Sequence, residues 1–227
     1  NGGVMTHEFS HRIFNRLVYR GASLPTAISA WGGGVGIRSG FNVLKSLDEG
    51  FADFHAAAAS CRSAYGCDTR FMATSFDQAT ADERDLNGEH CMSPALYQAM
   101  YQQGTDGFSG VGYNYNVGTI VASALWQAGE ATGQRESLEQ ALLDAYSDED
   151  LLKPGLAQLV ELTLGDQSAF SLGLALSSVV AHISDPTLQL AVCSALADRV
   201  GLQFGTGWNQ LQCPDNAVRG TTCPVLQ

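Results

Sequence analysis

Near its start the chain reads Thr6-His7-Glu8-Phe9-Ser10-His11, an HExxH motif. On a helix, residues four apart lie one turn apart on the same face, so His7 and His11 can present two imidazole nitrogens to one metal ion. Glu8, about 100° around the helix from His7, reaches a metal-bound water without being a ligand, as a general base must. Further on, Asp48-Glu49-Gly50-Phe51-Ala52-Asp53 sets Glu49 and Asp53 four residues apart. Glu49 completes a His₂Glu ligand set, which leaves the fourth position of a tetrahedral zinc open to water. Asp53 can accept a hydrogen bond from the outer N–H of one ligand histidine, and Asp48 from that of the other. Such partners fix the tautomer and raise ligand basicity. The expected cofactor is Zn2+, held by His7, His11 and Glu49.

Two helices must present these groups. The first is predicted over residues 4–19, with Val4, Phe9, Ile13, Phe14 and Leu17 at helical spacing; the second is predicted over about 44–60. Between them, 21–43 reads as a Gly/Ser-rich loop. Residues 61–90 read as loop with one short helix near 78–84. From Pro94 onward the pattern is strongly helical: 94–103, 115–131, 136–146, 151–164, 169–183 and 186–200, with Pro94 and Pro186 as first-turn prolines. No segment alternates as a series of half-buried strands does. The expected fold is mainly α in a single domain over 1–227. Its parts are zinc-binding helices (1–60), a disulfide loop region (61–92), a helical bundle (93–200) and a disulfide-tied tail (201–227).

The segments His7-Glu-Phe-Ser-His-Arg-Ile-Phe-Asn-Arg-Leu17 and Glu49-Gly-Phe-Ala-Asp-Phe54 together resemble the fungalysin family of gluzincin metallopeptidases and, more distantly, thermolysin. The resemblance implies a thermolysin-like C-terminal helical lobe. It implies His7 and His11 as ligands, Glu49 as third ligand, Glu8 as base, Asp53 as partner of the first histidine and Asp48 of the second. The interval from His11 to Glu49 is longer than in thermolysin, so the loop 21–43 is expected to carry an insertion near the site. Tyr113-Asn-Tyr-Asn-Val-Gly-Thr-Ile-Val-Ala-Ser-Ala-Leu-Trp126 is similar to the region where these families place a His or Tyr that stabilises the oxyanion. No His stands there, which points to Tyr115 first, with Tyr113 and Asn114 behind it. An oxyanion donor is worth about 3 kcal/mol.

Peptidases of this clan carry an N-terminal β-rich lobe whose edge strand aligns the substrate by strand addition. Six residues precede His7 here, and the chain starts at Asn1 without an initiator Met. It is therefore expected to be a trimmed product of something longer. Either the lobe is a separate chain, or peptide hydrolysis has been lost and zinc is a fold staple in a structural or assembly subunit. The leading expectation is a secreted zinc endopeptidase acting on protein or peptide substrates by a zinc-activated water, with Glu8 as base and Tyr115 polarising the carbonyl.

The bulk properties fit this expectation. A formal charge of −11 argues against a nucleic-acid partner. No apolar run approaches the roughly 18 residues of a membrane span. Six cysteines without a CxxC pair argue for disulfides and an oxidising compartment: extracellular, periplasmic or cell-surface. The expected pairing is Cys61 with Cys67, Cys213 with Cys223, and Cys91 with Cys193. His55, His90 and His182 read as packing or surface residues. Trp31-Gly-Gly-Gly-Val-Gly36 lacks the spacing of a phosphate loop. Ser147-Asp-Glu-Asp150 reads as a helix N-terminus rather than a calcium loop.

Overall fold

The computed structural model describes residues 2–20, 35–62, 66–70, 84–103, 113–149, 154–165 and 170–225. Their regular structure is helical: α1 (Gly2–Leu17), α2 (Val35–Ser60), α3 (Pro94–Gln103), α4 (Tyr113–Thr132), α5 (Arg135–Ser147), α6 (Leu156–Gly165), α7 (Leu172–Ala181) and α8 (Pro186–Arg199). Among the described residues the only β pairing is an isolated bridge, Phe204 to Leu211. The fold is mainly α, as the periodicity predicts.

The long helices α2 and α4 form the centre. α1 and α3 pack on α2, and α8 packs on α4. Thirteen residues of α4, Val117, Ile120, Val121, Leu125 and Trp126 among them, are buried, so it is enclosed on most sides. A helix apolar on every side belongs inside a protein. The two central helices cross at glycines. A Cβ on Gly50 would run into the Gly118 carbonyl, and one on Gly118 would lie 2.8 Å from Gly50 N. Gly50 follows Glu49 directly, so this backbone-to-backbone contact sets the height of Glu49 in the fold.

Local chemistry starts the helices where the prolines suggest. Asp185 caps α8 by accepting from Leu188 N at 2.9 Å, with Pro186 in the first turn. Ser93 Oγ accepts from Leu96 N at 3.1 Å ahead of Pro94. Beneath α1 and α2, Phe14, Phe51 and Tyr146 form one buried aromatic cluster, with ring centroids 5.2 to 6.2 Å apart.

Several expectations need correction or lie outside the described residues. α2 begins at Val35, not near 44. A glycine costs a helix about 1 kcal/mol, but Gly40, Asn42, Val43 and Leu44 are buried, and Asn42 Nδ2 donates to Tyr101 O at 3.3 Å on α3. Tertiary burial outweighs local propensity. The rest of the expected loop (21–34) and the short helix near 78–84, except Arg84, lie outside the described residues.

The disulfides are Cys61–Cys67, Cys91–Cys223 and Cys193–Cys213. The pairings of Cys213 with Cys223 and Cys91 with Cys193 are therefore wrong. Met92 N donates to Arg199 O at 2.8 Å, and Cys223 N donates to Asp198 Oδ1 at 3.0 Å, so the end of α8 gathers both Cys91 and the tail. Finally, Ser147 ends α5 and Asp148 is its C-cap. The acids there sit at a helix C-terminus, and His182 Nε2 offsets Asp148 at 2.8 Å.

Candidate metal centre

On α1 the buried residues are His7, Ser10 and Phe14, which share one stripe facing α2. His11, one turn beyond His7, is partly buried, while Met5, Glu8 and Phe9 are exposed. α2 returns Asp48, Glu49 and Asp53 against that stripe. The helical spacing read from the sequence is thus matched by a second helix at contact distance.

The geometry converges on one point. His7 Nε2 and His11 Nε2 lie 3.0 Å apart. Glu49 Oε2 lies 3.5 Å from the first and 3.6 Å from the second. The outer nitrogens are held by carboxylates: His7 Nδ1 is 2.9 Å from Asp53 Oδ1, and His11 Nδ1 is 2.8 Å from Asp48 Oδ1. With His11 Nδ1 hydrogen-bonded to Asp48 and His7 Nδ1 at ion-pair distance from Asp53, both Nε2 atoms face the same place, and two lone pairs there are unfavourable without a cation between them. Zinc–nitrogen bonds of 2.0–2.1 Å at a tetrahedral angle would set the two nitrogens about 3.3 Å apart. These three side chains are the group among the described residues that could hold a metal ion.

Charge points the same way. The three carboxylates Asp48, Glu49 and Asp53 are accompanied by one guanidinium, Arg84, which faces Asp53 and Glu49. Its Nη2 lies 2.7 Å from Asp53 Oδ1 and 3.8 Å from Glu49 Oε2, and its Nε donates to Asp53 Oδ2 at 3.2 Å. Two net negative charges remain, to be balanced by two imidazolium protons or by one divalent cation. In the metal-free protein, protons do it. Burial opposes the charged form of His7, but Asp53 and Glu49 outweigh it and raise its pKa to about 9. His11 is raised too: burial opposes the charge, and Asp48 chiefly overcomes it.

Arg84 is the residue that sequence reasoning missed. It lies outside both motif segments, in a stretch read from the sequence as loop with one short helix. The signal was chemical: Asp53 is almost fully buried, and a buried carboxylate next to two others needs a cation. The Arg84 guanidinium also lies over the Tyr115 ring, 4.9 Å from its centroid.

Of the three oxyanion candidates, Tyr115 is the one beside the carboxylates. Its phenol pKa is raised, first by the Glu49 charge and then by burial, with Arg84 opposing and Glu8 adding to the rise. The phenol therefore keeps its proton, and Glu8 lies close enough for its field to be felt there. Asn114 is fully buried and accepts from Ser46 Oγ at 3.4 Å, which pins α4 to α2. Tyr113 packs against the core. The other histidines stand apart from the site. His55 is buried, with Nε2 3.0 Å from Tyr146 Oη and Nδ1 3.3 Å from Glu139 Oε1. His90 Nε2 lies 2.7 Å from Asp85 O, and His182 pairs with Asp148. No protein-family model, no curated protein and no solved structure matches this chain.

Proposed function

We propose that this chain is the catalytic half of a secreted zinc endopeptidase, in which His7, His11 and Glu49 hold the metal and Glu8 is the general base. One observation carries the reading: two imidazoles and a carboxylate converge on one point, while the carboxylate next to the first imidazole stays exposed and outside the ligand set. A purely structural centre has no use for that fourth group. Three disulfides fit an oxidising compartment.

Zinc, when bound, supplies a Lewis acid and a water whose pKa falls to about 7. The protein's own groups do the rest. Asp53 and Asp48 keep the protons of His7 and His11 on Nδ1, so that both Nε2 atoms are free for the metal. Glu8 takes a proton on its carboxylate as water attacks the scissile carbonyl, then passes it to the leaving amine. Tyr115 Oη donates a hydrogen bond to the oxygen on which charge develops. Arg84 holds Asp53, and through it the orientation of His7.

Met5 is 73% and Phe9 62% exposed, one turn apart on the helix that bears the ligands. Such an apolar ledge beside a site marks an interaction surface. In this reading a β-rich lobe or chain covers it and aligns the peptide. The test is metal content after dialysis against zinc, followed by casein cleavage with Glu8→Gln as control. One zinc per chain with cleavage that Glu8→Gln lowers by about 10²-fold or more, at unchanged zinc content, is the expected result. One zinc without cleavage, even with a partner lobe supplied, would favour zinc as a staple of α1 onto α2, and no zinc uptake would sink both readings.

A further inference from the structure

A concave site lies between α3 and the C-terminal segment, and no part of the peptidase reading uses it. The loop at 203–211 is firmly held. Leu211 N donates to Gln203 O at 2.9 Å, and Gly207 N donates to Gln210 Oε1 at 2.8 Å. Asn209 adopts a left-handed φ of 57°, unusual outside glycine. It is fixed there because its N–H donates to Ser171 Oγ at 3.1 Å and its Oδ1 accepts from Gly173 N at 3.1 Å. A Cβ on Gly173 would lie 2.5 Å from Asn209 C, so the loop rests directly on the first turn of α7. The disulfide Cys193–Cys213 secures its exit.

That rigid loop holds Trp208 54% exposed. Tyr97 and Tyr101 of α3 stack beside it with centroids 5.7 Å apart, and Tyr101 meets the Trp208 ring edge-on at 6.0 Å. The cavity they border has a volume of about 500 Å³, within the ~300–1,000 Å³ of small-ligand sites. None of the described residues lining it is Asp, Glu, Lys, Arg or His.

We propose that this cavity binds a neutral carbohydrate, with Trp208 as the platform for a sugar ring and the carboxamides of Gln98 and Gln203 as partners for its hydroxyls. A charged ligand would find no counter-charge in the lining. A sugar ring is apolar on its C–H face and polar around its rim, which matches an aromatic face ringed by amides. Each hydroxyl both donates and accepts, as does a carboxamide. A proline-rich peptide also docks on aromatic grooves, but it offers the amides carbonyl acceptors and few donors. The proposal is independent of the metal centre.

The test is calorimetric titration of the full chain with a panel of neutral oligosaccharides: glucan, xylan, mannan, galactan and chitin hexamers. Trp208→Ala is the variant, and its melting temperature should fall by only a few degrees, because the ring is half exposed and loses one edge-on contact to Tyr101. At least one hexamer should bind the native chain, and the variant should bind it about tenfold more weakly or worse, the loss of roughly one stacking contact. The proposal is overturned if no hexamer binds, if the variant binds equally well, or if decaproline binds through Trp208 instead.

Discussion

Replacing Gly118 with alanine tests whether the α2–α4 crossing positions the metal centre. The added Cβ would lie 2.8 Å from Gly50 N, 3.2 Å from Gly50 Cα and 2.5 Å from Ser46 O, all backbone atoms of α2. Carbon contacts are comfortable at about 3.5–4.0 Å. Backbone cannot rotate aside as a side chain can, so the two helices must part by roughly 1 Å at this turn. Overpacking costs about 1–3 kcal/mol, and here the upper end applies. Alanine returns about 1 kcal/mol of helix propensity, which leaves a net loss of about 2 kcal/mol. For a chain of this size that lowers Tm by about 4–8 °C.

The second consequence is chemical. Glu49 precedes Gly50, so the same shift carries its carboxylate away from His7 and His11. Displacing the supports of a metal ligand costs about 10–100-fold in affinity. Calorimetric melting of the metal-free and zinc-loaded protein reads both effects, because the zinc-dependent rise in Tm shrinks with affinity. Gly2→Ala, with nothing within 4 Å, is the control and should melt as the native protein does. If Gly118→Ala melts at the native temperature and gains as much from zinc, the helices do not meet backbone to backbone at Glu49 and the positioning argument fails.

Arg84→Ala leaves the buried Asp53 carboxylate without its guanidinium and should cost about 3 kcal/mol in a denaturant titration. Arg84→Lys should recover part of it, because lysine keeps the charge without the two-pronged geometry; equal stability of all three proteins would deny the pair its role. The His7 pKa of about 9 predicts that zinc uptake at pH 7 releases protons, and that affinity climbs with pH, by at least about tenfold per unit below pH 9. Calorimetry in two buffers of different ionisation enthalpy would show this, and identical apparent enthalpies would contradict it. In the metal-free protein the same raised pKa stabilises the fold fully below pH 6.5, and that contribution is lost as pH rises through about 9. Removing Cys91–Cys223, which spans 132 residues, should destabilise by about 5 kcal/mol against about 2 for Cys61–Cys67, which spans 6. Peptide mapping under non-reducing conditions tests the pairing itself.

What the sequence makes legible is what happens within a single helix. His7 and His11 share a face because 3.6 residues make a turn, and Glu49 and Asp53 share one for the same reason. The mainly helical fold and the proline-started helices α3 and α8 follow from equally local signals. What periodicity cannot supply is the relation between segments. That α1 and α2 face one another was legible only because two imidazoles and three carboxylates are chemically complementary. Arg84 was invisible because any of the 12 Lys and Arg residues could have answered a buried Asp53. The early start of α2 was hidden because Gly36 and Gly40 lower helix propensity, while the contact that holds Asn42 comes from Tyr101 on α3, far away in sequence. The disulfide error has the same root. Cys213 and Cys223 are near in sequence, but the tail is drawn to Asp198 and Cys91 by hydrogen bonds at the end of α8. The proposed metal centre combines both kinds of information, and this sets the order in which its parts should be tested. The ligand spacing rests on helix geometry alone. The approach of Glu49 rests on the Gly50–Gly118 crossing, so a disturbance there should loosen the centre without touching a ligand.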